Sequence, residues 1–358
     1  MPPDEALLDA DIQLRLERIS LEASLQVGPG QVLALLGPNG SGKSTVLNAL
    51  AGLLKLGAGH VILDGVVLER PASRTRVRPE RRPVALMFQD YLLFPHMTAL
   101  DNVAFGLRAR GTGKAQSRER AAAALERVGL TEVAAARPGA MSGGQQQRVA
   151  MARALVTEPR LLLLDEPLAA LDVSTKTGIR RQLRSILRAS SAANILVTHD
   201  LLDAVALADT MVVIERGSIV QSGTPAEVTA RPRSRYVADL VGVNLLQGTG
   251  RGTVVELDSG GELHAASGEH GPVLASVNPA RVSVARERPG QAGQAGANCW
   301  RGTIEAVDLL GDRVRVNVAG PLPIIAEVAP SAVGELRLDD LGELWTCVDP
   351  ADVQVYAR

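Results

Sequence analysis

Apolar residues alternate with polar ones at Ile12, Leu14 and Leu16, the period of a half-buried strand. They then run unbroken over Val32–Leu36, as in a strand covered on both faces. That second strand feeds into a glycine-rich loop, after which apolar positions recur at helical spacing over residues 41–54. A strand-like segment at 61–63 stops at the Asp64-Gly65 turn. Strand character returns at 84–89, helical patterns dominate 98–155, and strand-type runs at 161–164, 194–198 and 210–214 are separated by helical stretches. Strands alternating with helices over residues 30–230 predict a mostly parallel sheet with right-handed crossovers. After about residue 240 short strands between Gly, Pro and Asp take over, at 273–277, 302–307, 313–318, 324–328 and 344–348, which predicts a small β-rich domain. Residues 289–296 (PGQAGQAG) carry no pattern and read as a flexible linker within it.

Composition narrows this picture. A chain of 358 residues has room for two domains of roughly 100 to 200 residues each. Its residues are 46% hydrophobic but only 2% aromatic, so the core must be aliphatic. The 38 basic and 39 acidic residues leave a net charge of -1, which removes any global attraction to nucleic acid or anionic membrane. The acidic N-terminus lacks the basic and apolar regions of a secretory signal, and no apolar run reaches the roughly 20 residues of a spanning helix. A chain soluble by itself is therefore expected. Cys299 and Cys347 are too few for a disulfide framework and lack metal-ligand spacing, so two reduced thiols are expected. Arg70, Arg74, Arg76, Arg78, Arg81 and Arg82, interrupted by Pro71 and Pro79, predict an exposed loop. No aromatics are interleaved there for base stacking, so a solvated loop is the reading and no nucleic-acid partner is expected.

The glycine-rich loop carries the chemistry. Gly37, Pro38, Asn39, Gly40, Ser41, Gly42, Lys43, Ser44 and Thr45 fit the phosphate-loop pattern, after a buried strand and before a helix. Glycines there let backbone N–H groups turn onto phosphate oxygens, and the following helix aims its positive dipole end at the same charge. Lys43 would neutralise the β- and γ-phosphates, and Ser44 would supply a hydroxyl to Mg²⁺. The run 161–164 ends in Asp165 and Glu166, placing carboxylates at the C-terminal edge of a buried strand. Asp165 would hold Mg²⁺ through water and Glu166 would act as general base. Ser142, Gly143, Gly144 and Gln145 open another helix with a hydroxyl and free backbone N–H groups, either an ordinary serine cap or a second anion site. With one phosphate loop per chain, a second such site suggests service to a nucleotide held by another copy. Gln89 could reach the metal or the attacking water, and His199 could hydrogen-bond the γ-phosphate; both close strands of the same sheet.

The ordered series GPNGSGKST, Gln89, MSGGQQQR, LLLLDEP, LAALD ending at Asp172, and His199 resembles the ATP-binding subunit of ABC transporters. The resemblance implies an α/β P-loop NTPase over residues 11–235 with a helical subdomain at about 95–155. It further implies ATP and Mg²⁺ as cofactors, and a head-to-tail homodimer in which Ser142 to Gln145 of one subunit close over ATP on Lys43 of the other. Asp172 would help join the two sites. Met141 stands where the family usually has Leu, a volume-conserving change. No aromatic precedes Gly37 to stack on adenine, so base selectivity should be weak, with Arg18 or Ile19 near that place.

Residues 88–98 (FQDYLLFPHMT) look like importer ATPases, where a groove beside the glutamine receives a permease helix; Leu92, Leu93 and Phe94 are either that docking surface or core. Residues 240–358 resemble the OB-like (TOBE/MOP-like) regulatory domain of importers of molybdate, sulfate, polyamines, sugars and iron. Residues 298–302 (NCWRG), 326–331 (AEVAPS) and 231–236 (RPRSRY) with 242–246 (GVNLL) look most like the molybdate-type module. Asp349 and Asp352 stand where such modules often carry a lysine, and should repel an oxyanion. The resemblance implies an ATPase peripheral to the cytoplasmic face of the membrane, beneath two integral membrane permease subunits and served indirectly by an extracytoplasmic substrate-binding protein. Molybdate is the expected cargo, with polyamine, sulfate or iron as alternatives. A soluble ABC-type ATPase acting on nucleic acid or ribosomes is the alternative of another class.

Overall fold

In the computed structural model the chain is described over residues 6–16, 19–169, 173–288 and 298–358. Its internal contacts divide it into two compact units that meet between Ala226 and Glu227.

The first unit contains, in chain order, β1 (Leu8–Leu16), β2 (Ile19–Val27), β3 (Val32–Leu36), α1 (Lys43–Ala51), β4 (Ala58–Leu63), β5 (Val66–Arg70), β6 (Thr75–Arg76) and β7 (Val84–Met87). It continues with α2 (Ala99–Ala109), α3 (Lys114–Arg127), α4 (Gly143–Leu155), β8 (Leu161–Asp165), α5 (Val173–Ala189), β9 (Ala193–Val197), α6 (Leu201–Leu207), β10 (Thr210–Glu215) and β11 (Ser218–Gly223). The strands form one 11-stranded sheet in the order β6-β5-β4-β1-β2-β11-β10-β3-β9-β8-β7. Its β10-β3-β9-β8-β7 half is parallel, as the alternation of strands and helices predicts, and the β1, β2, β4, β5 portion is antiparallel.

Continuous apolar runs make β3, β8 and β9 the centre, because side chains alternate between two covered faces. Leu33, Leu35, Leu161, Leu163 and Ile195 pack with Val46, Leu47 and Leu50 of α1. Leu162, Leu164 and Leu196 face the other way, onto Ala150 and Met151 of α4 and Leu183 and Leu187 of α5. Each fully buried leucine contributes about 2 kcal/mol. The parallel register sets Asp165 beside Val197, Val197 beside Leu35, and Leu164 beside Met87, so the ends of β3, β7, β8 and β9 share one edge.

The arginine-rich segment departs from its expected exposure at two residues, the half-buried Arg70 and, further, Arg82. Arg82 is 1% exposed: its guanidinium donates to Leu50 O at 2.9 Å, Ala49 O at 3.2 Å and Val77 O at 3.0 Å, and pairs with the buried Glu69 carboxylate. It closes the last turn of α1, where orphaned carbonyls and the negative dipole end favour a cation. Arg74, Arg76, Arg78 and Arg81 remain exposed.

The second unit follows from within α7 (Pro225–Ala230), then α8 (Arg235–Val241), β12 (Asn244–Leu257), β13 (Glu262–Val277), β14 (Val282–Ala285), β15 (Cys299–Leu310), β16 (Arg313–Ala319), β17 (Ile324–Val328), β18 (Glu343–Val348) and β19 (Val353–Ala357). Two antiparallel sheets, β12-β13-β19 and β14-β18-β15-β16-β17, contribute to a shared aliphatic core that includes Val255, Leu263, Val273, Val316, Ile324 and Leu344. Asn298 is buried and ties the unit internally, donating to His264 O and accepting from His264 N, both at 2.8 Å. The expectation of two free thiols is overturned: Cys299 and Cys347 form a disulfide. They lie 48 residues apart in sequence but directly opposite each other where β15 pairs with β18, a register that spacing alone does not disclose. Residues 289–296, read as a linker, lie outside the described residues.

Candidate functional site

At the shared strand edge, β3 passes into the phosphate-type loop. Gly37 has φ 153°, and a side chain there would meet Ile214 O at 2.1 Å and Ser41 Oγ at 2.6 Å, so only glycine lets the loop lie against β10. Pro38 is half-buried, Asn39 and Gly40 are exposed, and Ser41 is buried with its Oγ lacking a partner. Gly42 precedes α1 in a left-handed conformation, and no side chain caps the helix. The first N–H groups of α1 are thus available to an anion rather than spent on a cap.

Lys43 folds back over this loop and donates to Gly37 O at 2.7 Å and Pro38 O at 2.9 Å. Burial pushes its ammonium below the ordinary value, against the pull of Glu166 and then Asp165. Ser44 is exposed and Thr45 half-buried. Asp165 ends β8 facing this lysine. Burial raises its carboxyl, opposed by a hydrogen bond from Ser44; the charge of Glu166 raises it further and that of Lys43 lowers it. A hydroxyl bonded to a carboxylate beside the phosphate loop is a hard-oxygen pair suited to Mg²⁺. No group of three or more His, Cys, Asp or Glu is placed to hold a metal ion by itself among the described residues.

Glu166 holds a left-handed backbone, φ 47°, secured by its N–H donating to Val197 O at 3.0 Å. A non-glycine residue in that region stores strain, which recurs at functional positions. The conformation leaves the carboxylate Oε2 3.3 Å from His199 Nδ1, two residues beyond β9. Gln89 lies two residues beyond β7 in a turn, exposed, on the same edge. The edge therefore gathers the phosphate loop, Asp165, Glu166, His199 and Gln89.

Ser142 to Gln145 form the start of α4. Ser142 Oγ accepts from Gln145 N at 3.3 Å, while Gln145 Oε1 accepts from Ser142 N at 2.9 Å. This reciprocal cap sits at the surface, with Ser142 and Gly143 exposed and Met141 buried beneath. Asp172 and Arg18 lie outside the described residues. Gln147, not singled out from the sequence, donates to Pro167 O and joins α4 to the turn after Glu166. Leu92 is 55% exposed, whereas Leu93 and Phe94 are half-buried and Leu93 packs against the core.

A glycine-rich loop, its lysine and a strand-end Asp-Glu pair at the edge of a mostly parallel sheet define a P-loop nucleoside triphosphatase. Comparison narrows the class. A family model described as "ABC transporter" matches residues 21–169. The molybdenum import ATP-binding protein ModC of Mycobacterium tuberculosis is 40% identical over 356 residues, covering 94% of each chain. The Fe(3+) ions import ATP-binding protein FbpC of Streptomyces coelicolor is 39% identical, covering 93% of this chain and 95% of its own. The structure of cbiO1 from Clostridium perfringens, part of the ABC transporter complex cbiONQ, superimposes with a TM-score of 0.57 at 29% identity, covering 63% of this chain and 91% of that one. The chain belongs to the ABC transporter ATP-binding family and is an ATPase of the importer type. No helix among the described residues is long and apolar enough to cross a membrane.

Proposed function

We propose that two copies of this chain form a head-to-tail dimer that binds ATP between them and drives uptake through a separate permease. The carrying observation is the contrast between a nucleotide edge assembled within one chain and a capped helix start, Ser142 to Gln145, whose first two residues lie exposed at the surface. In the dimer, Lys43 leaves its own loop carbonyls for the β- and γ-phosphates, and residues 37–45 wrap them with backbone N–H groups. Ser142, Gly143, Gly144 and Gln145 of the other copy close on the γ-phosphate, with Asp172 near the join. Ser44, Asp165 and Gln89 would hold Mg²⁺, which supplies charge neutralisation on the phosphates when bound. Glu166 accepts the proton of the attacking water, and His199, set against Glu166, donates to the γ-phosphate. Since the γ-phosphate is gripped from both sides, its hydrolysis removes the link between subunits.

The test is Glu166→Gln: ATP should hold a stable dimer without turnover, and a variant that stays monomeric in ATP sinks the shared-site reading. The first unit is the ATPase domain and the second a TOBE/MOP-like regulatory domain. The protein works at the cytoplasmic face of the membrane, beneath two permease subunits fed by an extracytoplasmic binding protein, with Leu92 beside Gln89 contributing to docking. Molybdate is the favoured cargo, supported by similarity to the Mycobacterium protein along nearly the whole chain. Relatives named for iron and for spermidine/putrescine keep those cargoes as alternatives. Uptake into vesicles carrying the assembled transporter, with sulfate, putrescine and ferric iron competing against molybdate, decides among them.

A further inference from the structure

Two consecutive non-glycine residues after Gln89, Tyr91 (φ 58°) and Leu92 (φ 43°), hold left-handed backbones. Each costs of order 1 kcal/mol or more and persists only where its surroundings enforce it. Their carbonyls are captured by one side chain. Arg153 donates to Tyr91 O at 2.6 Å and to Leu92 O at 2.8 Å, and its guanidinium sits 5.6 Å from the centre of the Phe94 ring. The Tyr91 ring packs in the cluster that holds Ala150, Met151 and Ala154 of α4, flanking Arg153. On the far side Asn102 of α2 receives Phe94 N at 2.8 Å and donates to Phe94 O at 3.1 Å. The turn bearing Gln89 is therefore fastened to the last turns of α4, the helix whose first turn carries Ser142.

We propose that Arg153 is a positioning residue that makes α4 and the Gln89 turn a single mechanical body, so that seating Ser142 on the partner's nucleotide and placing Gln89 occur together. This rests on the roles proposed above for Ser142 and Gln89. A rigid helix carries displacement from end to end, and the guanidinium fork holds two adjacent carbonyls through two separate N–H groups. Arg153 touches neither nucleotide nor reacting water; it acts through the backbone two residues beyond Gln89.

The experiment uses the full chain with Arg153→Met and Arg153→Lys. Amide hydrogen exchange over residues 89–94 is measured beside steady-state ATPase kinetics. Arg153→Met should speed exchange in that segment about 10-fold while leaving β8 and β9 unchanged. It should lower kcat about 10- to 100-fold with KM for ATP within about 2-fold, the signature of misplacement rather than lost binding. Arg153→Lys keeps the stem packing and a charge but cannot fork, so it should fall between wild type and Arg153→Met on both readouts and remain informative should the methionine variant fail to fold. Unchanged exchange at 89–94 in both variants, or exchange raised uniformly through the helices, overturns the proposal. Glu166→Gln measured alongside separates the two ideas. Turnover retained in Glu166→Gln breaks the catalytic reading, while the local exchange response to Arg153 is read independently of turnover.

Discussion

The two glycine-rich helix starts of the first unit look alike in sequence and differ in what constrains them. At α1 the loop is packed against its own chain: a side chain at Gly37 would collide with Ile214 O, Gly42 is left-handed, and no side chain caps the helix. At α4 the start is already satisfied by the Ser142–Gln145 cap, and a side chain at Gly143 would meet nothing within 4 Å. The first site needs its glycine to fold and leaves donors unspent. The second spends the N–H groups of Ser142 and Gln145 on its own cap and has space at Gly143 that its own fold does not use. A demand for glycine at position 143 would therefore come from another molecule.

Four substitutions, in three tests, press on that contrast in descending size. Lys43→Ala removes the one ammonium in the phosphate cradle and should weaken ATP binding by about 100-fold or more, read by equilibrium titration. Binding retained at wild-type strength would make the two starts equivalent and break the comparison. Gly143→Asp should leave ATP affinity of the single chain within about 3-fold and thermal stability unchanged, yet lower turnover about 100-fold by setting a carboxylate against the partner's γ-phosphate. A parallel loss of affinity and turnover would place Ser142 to Gln145 in the same chain's site. Gly37→Ala and Gly143→Ala, compared by chemical denaturation, should separate by about 2 kcal/mol, with only the first destabilised. Equal stabilities would remove the structural difference altogether.

Legibility in the sequence followed the physical range of each interaction. The edge that gathers Lys43, Asp165, Glu166 and His199 was readable because continuous apolar runs mark central strands and polar residues collect where those runs stop. β12 was missed, since Gly248, Gly250 and Gly252 interrupt its apolar pattern, as were β14, too short at four residues to stand out, and β19. Arg82 and the Cys299–Cys347 pair were misread because their partners are brought in by the fold: Arg82 meets the Ala49 and Leu50 carbonyls of α1 and Glu69, and the cysteines meet through the register of β15 and β18, neither of which composition carries. Arg153 gives no sequence signal beyond a cation between two alanines on a helix. Its meaning arises only once Tyr91 and Leu92 present their carbonyls to it.

The finest distinction between the two starts is electrostatic. Between Ser142 and Gln145 nothing titrates, so Ser142→Ala should cost about 1 kcal/mol of cap energy at every pH. The first start carries Asp165, whose carboxyl burial raises above its ordinary value despite the Ser44 hydrogen bond. A carboxyl with a folded pKa above its unfolded one holds its proton longer in the folded state. Its stabilising contribution is therefore complete at acid pH and is lost as pH rises through the folded value. In its ionised form Asp165 thus weighs against the fold. Asp165→Asn should raise the unfolding midpoint by about 2 °C at pH 7 while abolishing turnover. That gain should shrink as the solution is acidified toward the range where wild-type Asp165 is itself protonated. A midpoint lowered at pH 7, or a gain that does not change with pH, would show that the carboxylate is stabilised where it stands. The charge at the first helix start would then belong to the fold rather than to its ligand.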